Sequence, residues 1–195
     1  MSVEAEKEEF RRAAKLARKQ AAADAGPDAA DRLAGNLRQL IGDPAPGLVV
    51  SGYLAIGDEI DVSQMLAELH GQGVVCVLPV VVGQDQPLVF RRWYPDVDLQ
   101  AGPLGTRHPG PENEQTKPDI LLVPLLAFDG QGNRIGWGGG FYDRTIGALR
   151  ADGNVLAVGV AFGGQRADTV PHDSYDARLD WIVTEQGAEA FARDG

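Results

Sequence analysis

A single cysteine in 195 residues leaves no partner for an intrachain disulfide and rules out a zinc centre built on four thiolates. That residue, Cys76, lies inside the apolar run Gly73-Val74-Val75-Cys76-Val77-Leu78-Pro79-Val80-Val81-Val82, where a buried structural thiol is expected rather than a nucleophile. Histidine is nearly as scarce: His70 and His172 are expected at the surface, and His108 in a solvent-exposed loop. No apolar run approaches the ~20 residues of a membrane span. The opening Met1-Ser2-Val3-Glu4-Ala5-Glu6-Lys7 lacks the apolar stretch of a secretory signal, so a soluble, cytoplasmic chain is expected. Positive charge is also short. Eighteen basic against 28 acidic side chains give a net charge of -10, which argues against a general nucleic-acid binder.

The few cations are unevenly placed. Six of the 18, Lys7, Arg11, Arg12, Lys15, Arg18 and Lys19, fall within thirteen consecutive positions. Lys7, Arg11, Lys15 and Arg18 are spaced i, i+4, i+8 and i+11, which on a helix forms one stripe. Alone, such a stripe reads as a solvated face or as a source of cations for an anion.

The patterning predicts helices over 3–22 and 28–41, the second with Ala30, Leu33, Leu37 and Leu40 on its apolar face. Strands are predicted over 48–56, 74–82 (with Pro79 a point of shortening), 88–93, 119–128, 154–162 and 180–184. Further helices are predicted from an Asp61 N-cap to Gly71, over 142–149 and over 185–193. Residues 95–118 read as a long loop. Strands that are apolar throughout, alternating with helices, imply one α/β domain over 1–195, with a mostly parallel central sheet and helices on both faces.

The strongest chemical signal is Arg134-Ile135-Gly136-Trp137-Gly138-Gly139-Gly140-Phe141-Tyr142-Asp143-Arg144. Glycines here let backbone N–H groups approach an anion, and the helix that follows adds its uncapped N–H groups. The loop fits neither familiar nucleotide pattern: Phe141 stands where a dinucleotide fingerprint needs glycine, and no lysine follows Gly140 as a Walker A loop requires. Arg134 and Arg144 can grip phosphate oxygens, and Asp143 beside them suits Mg²⁺. A polyphosphate is expected here.

Together with Asp119-Ile120-Leu121-Leu122-Val123-Pro124-Leu125-Leu126-Ala127-Phe128-Asp129, this segment resembles the signature of the 5-formyltetrahydrofolate cyclo-ligase (methenyltetrahydrofolate synthetase) family. Weaker likenesses fall in the same order along nearly the whole chain: Lys7 with Phe10-Arg11, Tyr53-Leu54 with Glu59-Ile60-Asp61, Phe90-Arg91-Arg92-Trp93, and Leu179-Asp180 with Ile182-Val183-Thr184-Glu185. The resemblance implies a fold related to the sugar isomerases and CoA transferases, and ATP- and Mg²⁺-dependent conversion of 5-formyltetrahydrofolate to 5,10-methenyltetrahydrofolate. It further implies ATP contacts from Lys7, Arg11, Arg134, Gly136, Trp137, Gly138, Gly139, Gly140, Phe141 and Tyr142, with catalytic roles for Arg134 and Tyr142. Asp143 and Asp176 become Mg²⁺ ligands. Glu59 is turned to the pterin, with Leu54, Phe141 and Tyr142 near the folate. The expected partner is a reduced folate, bound by a monomer without nucleic acid or membrane.

Three positions depart from the family pattern. Gly105-Thr106-Arg107-His108-Pro109 stands in place of Gly-Ile-x-Glu-Pro, Asp173-Ser174-Tyr175-Asp176 in place of Glu-x-His-Asp, and Trp137 in place of the commoner tyrosine. They leave two alternatives: a relative using the same ATP site on another formyl or carboxyl substrate, and a nucleotide-binding module without turnover.

Overall fold

A computed structural model of the chain describes residues 2–192. The helix α1 (Val3–Ala25) begins at Ser2, whose hydroxyl accepts from the Ala5 N–H. Helix α2 (Ala29–Ile41) buries Ala29, Leu33, Ala34 and Leu37, one stripe at helical spacing. The main sheet runs, in spatial order, β11 (Gly187–Ala190), β10 (Trp181–Thr184), β9 (Leu156–Val160), β6 (Ile120–Pro124), β1 (Val49–Ser51), β2 (Val75–Val80) and β3 (Val89–Arg92). The five inner strands are mutually parallel, and the edge strands β3 and β11 run antiparallel to their neighbours.

Alternation along β6 divides the core. Ile120 and Leu122 face α2 and α3 (Ser63–Gly71), packing with Leu33, Leu37, Met65 and Leu66. Leu121 and Val123 face the opposite layer, where α4 (Phe141–Asp152) contributes Ile146 and Leu149. Helices therefore cover both faces, as the continuous apolar strands require. Cys76 is buried on the α3 side, and burial pushes its thiol up to about 11, in keeping with an inert packing residue.

Several boundaries differ from the sequence reading. Strand β1 ends at Ser51 instead of reaching residue 56. Gly52 slides beneath α3 so closely that a Cβ there would lie 2.1 Å from Leu66, and the chain then leaves the sheet. The N-cap of α3 is Val62, not the expected Asp61, which lies one residue outside the helix and accepts from the Ser63 N–H, so α3 starts later than expected. Strand β2 runs through Pro79, because its pairing with β1 ends at Val77 and the missing N–H breaks no bond there. Strand β6 stops at Pro124, and a separate small hairpin, β7 (Ala127–Phe128) with β8 (Arg134–Ile135), leads into the glycine loop. Helix α4 outruns its expected end at Leu149 and reaches Asp152.

The long loop is partly ordered as a hairpin of β4 (Leu99–Ala101) and β5 (Arg107–Pro109). His108 lies buried within β5, its Nδ1 3.0 Å from the Pro109 carbonyl, so the expected exposed histidine is corrected. The helix expected over 185–193 is also corrected: residues 187–190 form β11, and position 193 lies outside the described residues. Here the open edge of β10 captures a segment whose alanines and glutamates favour helix, a case of tertiary pairing overriding local preference.

Candidate active site

In sequence order, β1 leads to β2 on one side, whereas β6 leads to β9 and β10 on the other. The sheet therefore reverses direction between β1 and β6, and loops leaving the carboxyl ends of these strands diverge and open a crevice. The β1 loop, 52–62, carries Glu59. The β6 loop, 125–140, carries the glycine segment.

Helix α1 lies along this crevice, and its buried face is made of cations. Lys7, Arg11 and Arg18 are buried together with Ala14 and Ala21. Lys7 Nζ donates to Asp173 Oδ2 at 2.9 Å and to Asp176 Oδ2. Arg11 donates to Glu4 and Glu8 on its own helix, while its Cζ lies only 3.2 Å from where a Cβ on Gly138 would sit. Lys15 and Arg18 lie over the Trp137 ring at 5.0 and 4.9 Å. Arg18 Nη1 also reaches Glu59 Oε1 at 3.4 Å. The stripe thus crosses the 173–176 turn, the glycine loop and the β1 loop in turn.

Burial alone would lower the Lys7 ammonium, but its hydrogen bonds to Asp176 and Asp173, and their charges, outweigh that and hold it above the ordinary lysine range. The hydrogen bond from Lys7 draws the Asp173 carboxyl below its ordinary value. Arg134 is buried, donating from Nη2 to Asp143 Oδ1 at 2.7 Å and from Nη1 to the Ala177 carbonyl. Asp143 Oδ1 also accepts from the Ala177 N–H. Asp143 and Asp176 therefore flank one short segment, each paired with a buried cation.

The glycine loop reaches α4 through two left-handed residues, Gly138 (φ +95°) and Gly140 (φ +63°), and Gly140 occupies the N-cap without a capping side chain. A Cβ at Gly140 would meet Arg144 Nη1 at 2.6 Å. Arg144 is fixed by donating to the Gly139 and Gln84 carbonyls. Gly140→Ala is expected to cost about 1 kcal/mol from the αL conformation, read as a lower melting temperature.

Residues 3–185 match the sequence model of the 5-formyltetrahydrofolate cyclo-ligase family. The chain belongs to that family. The 5-formyltetrahydrofolate cyclo-ligase of Haemophilus influenzae is 33% identical over 132 residues, covering 65% of this chain and 70% of that protein. That of Escherichia coli K12 is 31% identical over 143 residues, 69% and 76% of the two chains. The structure of Aquifex aeolicus 5,10-methenyltetrahydrofolate synthetase is similar at a TM-score of 0.70 and 27% identity, covering 93% of this chain and 94% of that one. The Mycoplasma pneumoniae 5,10-methenyltetrahydrofolate synthetase shares the fold at TM-score 0.65 and 20% identity, over 88% and 98%.

Within this cyclo-ligase fold the crevice gathers Lys7, Arg11, Arg134, Gly136 to Gly140, Tyr142, Asp143, Asp176 and Glu59. Tyr142 is close enough to Glu59 and Arg134 to feel both charges; burial raises its phenol, Glu59 adds to the rise, and Arg134 opposes it. Both rings of the aromatic pair pack with the α4 layer; they differ in their charged neighbours, Phe141 lying under the Arg144 guanidinium at 5.2 Å. Leu54 is half-buried against the core on the α3 side. Sequence reasoning named Arg18 in the stripe as a candidate cation for an anion but did not connect it to Glu59, which it reaches at 3.4 Å. It missed Asp173, the second partner of Lys7, and Tyr53, whose hydroxyl donates to the Ile60 carbonyl beneath Glu59. A turn that brings Asp173 to a lysine 166 positions earlier leaves no local pattern.

Proposed function

We propose that this chain catalyses ATP- and Mg²⁺-dependent cyclisation of 5-formyltetrahydrofolate to 5,10-methenyltetrahydrofolate, releasing ADP and phosphate. The observation that carries the reading is the buried cationic face of α1 laid against an uncapped glycine turn. Arg11 and Arg18 each have a buried Nε with no hydrogen-bond partner, and so has Arg144 at the helix start. Buried guanidinium groups left partly unsatisfied beside left-handed glycines, where a Cβ would intrude, suit a polyphosphate.

For the metal, no cluster of three or more His, Cys, Asp or Glu side chains exists among the described residues. Two carboxylates, Asp143 and Asp176, are the donor set. That fits Mg²⁺, which is commonly held by one or two carboxylates together with substrate phosphates. Held by Asp143 and Asp176, the ion would supply positive charge against the charge that develops on the transferred phosphoryl group.

The residues divide the remaining work. Lys7 and Arg134 are tied to Asp176 and Asp143, so neither buried charge is uncompensated. With a metal and a polyphosphate bound, Asp143 and Asp176 would turn to the ion and Lys7 and Arg134 to phosphate oxygens, so that no buried charge would be left alone. The formyl oxygen of the folate attacks the γ-phosphorus, the bond to the β-γ bridging oxygen breaks, and ADP leaves. N10 then attacks the activated formyl carbon, closing the ring and giving up its proton to solvent, and cleavage of the carbon–oxygen bond releases phosphate and leaves the methenyl C=N bond. No protein nucleophile is required: phosphoryl transfer needs chiefly alignment and charge neutralisation, which Arg134, Lys7 and the loop N–H groups can supply. Glu59, facing Tyr142, is the acceptor for the pterin's N–H edge.

The test is direct. Purified protein with 5-formyltetrahydrofolate and Mg-ATP should form the methenyl product, followed chromatographically, with one ADP per product. Tight ATP binding without product would defeat this reading. ATP hydrolysis prompted only by a different formyl or carboxyl compound would replace it with the paralogue reading.

A further inference from the structure

Glu59 is hard to reach. Its side chain is only 5% exposed, although it sits at the mouth of the crevice. Three N–H donors converge on it: Ile56 N on Oε2 at 2.9 Å, and Arg18 Nη1 and Trp137 Nε1 on Oε1 at 3.4 and 3.2 Å. Tyr53 and Tyr142 close in from below, near enough for the Glu59 charge to raise both phenols in addition to their burial. Of these groups, Trp137 alone combines exposure with a flexible support. Its side chain is on a residue 51% exposed, and the chain on either side is Gly136 and Gly138-Gly139-Gly140.

The indole's contacts are those of a planar heteroaromatic ring: an N–H at its edge on a carboxylate, and π-face contacts with Lys15 and Arg18. A pterin offers the same chemistry, with N–H donors on one edge and an aromatic face. Oε1 already accepts two donors and Oε2 one, so a ring that needs both oxygens must take the indole's place.

We propose that Trp137 is a gate over Glu59 that sets substrate specificity. A ligand reaches the carboxylate by displacing the indole, and it succeeds only when it brings its own planar N–H edge to Glu59. Rings without such an edge cannot replace the lost hydrogen bond and are refused. Because Trp137 belongs to the glycine loop, the gate is attached to the segment read above as the phosphate cradle. The inference rests on the reading of Glu59 as the pterin carboxylate.

The experiment compares the intact protein with Trp137→Ala and Trp137→Phe in steady-state turnover of 5-formyltetrahydrofolate with Mg-ATP. Trp137→Ala should lower KM for the folate roughly tenfold, about 1.4 kcal/mol at 1.4 kcal/mol per decade. Trp137→Phe keeps the stack and loses the N–H, so it should fall between. A second measurement needs no turnover. In the intact protein, 5-formyltetrahydrofolate without ATP should increase acrylamide quenching of tryptophan emission as the indole leaves Glu59, and Trp137→Phe should abolish that increase. An unchanged or raised folate KM in both variants, with no quenching change in the intact protein, overturns the gate while leaving the proposed reaction standing. Absence of product from the intact protein overturns the reaction itself.

Discussion

Asp143→Ala should lower kcat for methenyl formation by roughly 10³-fold, the scale of several kcal/mol of charge stabilisation lost with a bound metal. The effect has two parts that separate experimentally. Asp143 is a proposed metal carboxylate, and it is also the acidic partner of the buried Arg134. Removing a partner from a buried ion pair typically costs about 3–5 kcal/mol; because Asp143 is 26% exposed, about 2–3 kcal/mol is the appropriate figure. For a chain of this size that corresponds to a melting temperature lower by on the order of 4–12 °C. Asp143→Asn keeps an oxygen able to accept from Arg134 and from the Ala177 N–H, so it should restore most of the melting temperature without restoring turnover. Near-normal kcat in either variant would remove the metal role from this carboxylate.

Lys7→Met should reduce kcat/KM for ATP by roughly 10²–10³-fold, as expected for deleting one preorganised charged donor. It should also change how stability responds to pH. The Lys7 ammonium is raised in the folded protein, so its contribution is fully present below its ordinary value of 10.5 and is lost as pH climbs through the higher folded value. The Asp173 carboxyl is lowered, so its contribution is present above its ordinary value of 3.8 and is lost as pH falls through the folded value. Lys7→Met removes the first dependence and the largest cause of the second. Melting curves of the variant should be flatter than those of the parent below pH 4 and above pH 10. An unaltered acid limb would mean that Asp173 draws its low value from the Tyr175 N–H rather than from Lys7.

The inner sheet and the helices around it were legible because each rests on a repeating apolar pattern. Leu33 and Leu37 on α2, and the uninterrupted Ile120 to Val123 of β6, mark their layers without reference to anything distant. The glycine turn at the start of α4, proposed above as the phosphate cradle, was legible as a turn for a related reason, since glycines at 136 and 138–140 are a local signature. What escaped depended on pairing between remote segments. The capture of 187–190 by β10 and the hairpin that buries His108 are decided by neighbours in space. Glu59 could be named by resemblance, but its near-complete enclosure could not, because Trp137 and Arg18 reach it from two other parts of the chain.

The N-terminal helix offers a last consequence. Its inward face carries lysine, arginines and alanines where a docking helix ordinarily carries leucines; its one leucine, Leu16, points outward at 73% exposure, and Phe10 is only half-buried. The helix is held against the body by charge more than by removal of oily surface from water. If the crevice holds the proposed anion, the attachment of the helix and the affinity for that anion are one free energy viewed from two ends. Whatever neutralises Lys7, Arg11 and Arg18 fastens the first 25 residues to the rest, and whatever loosens those residues takes half of the cradle away.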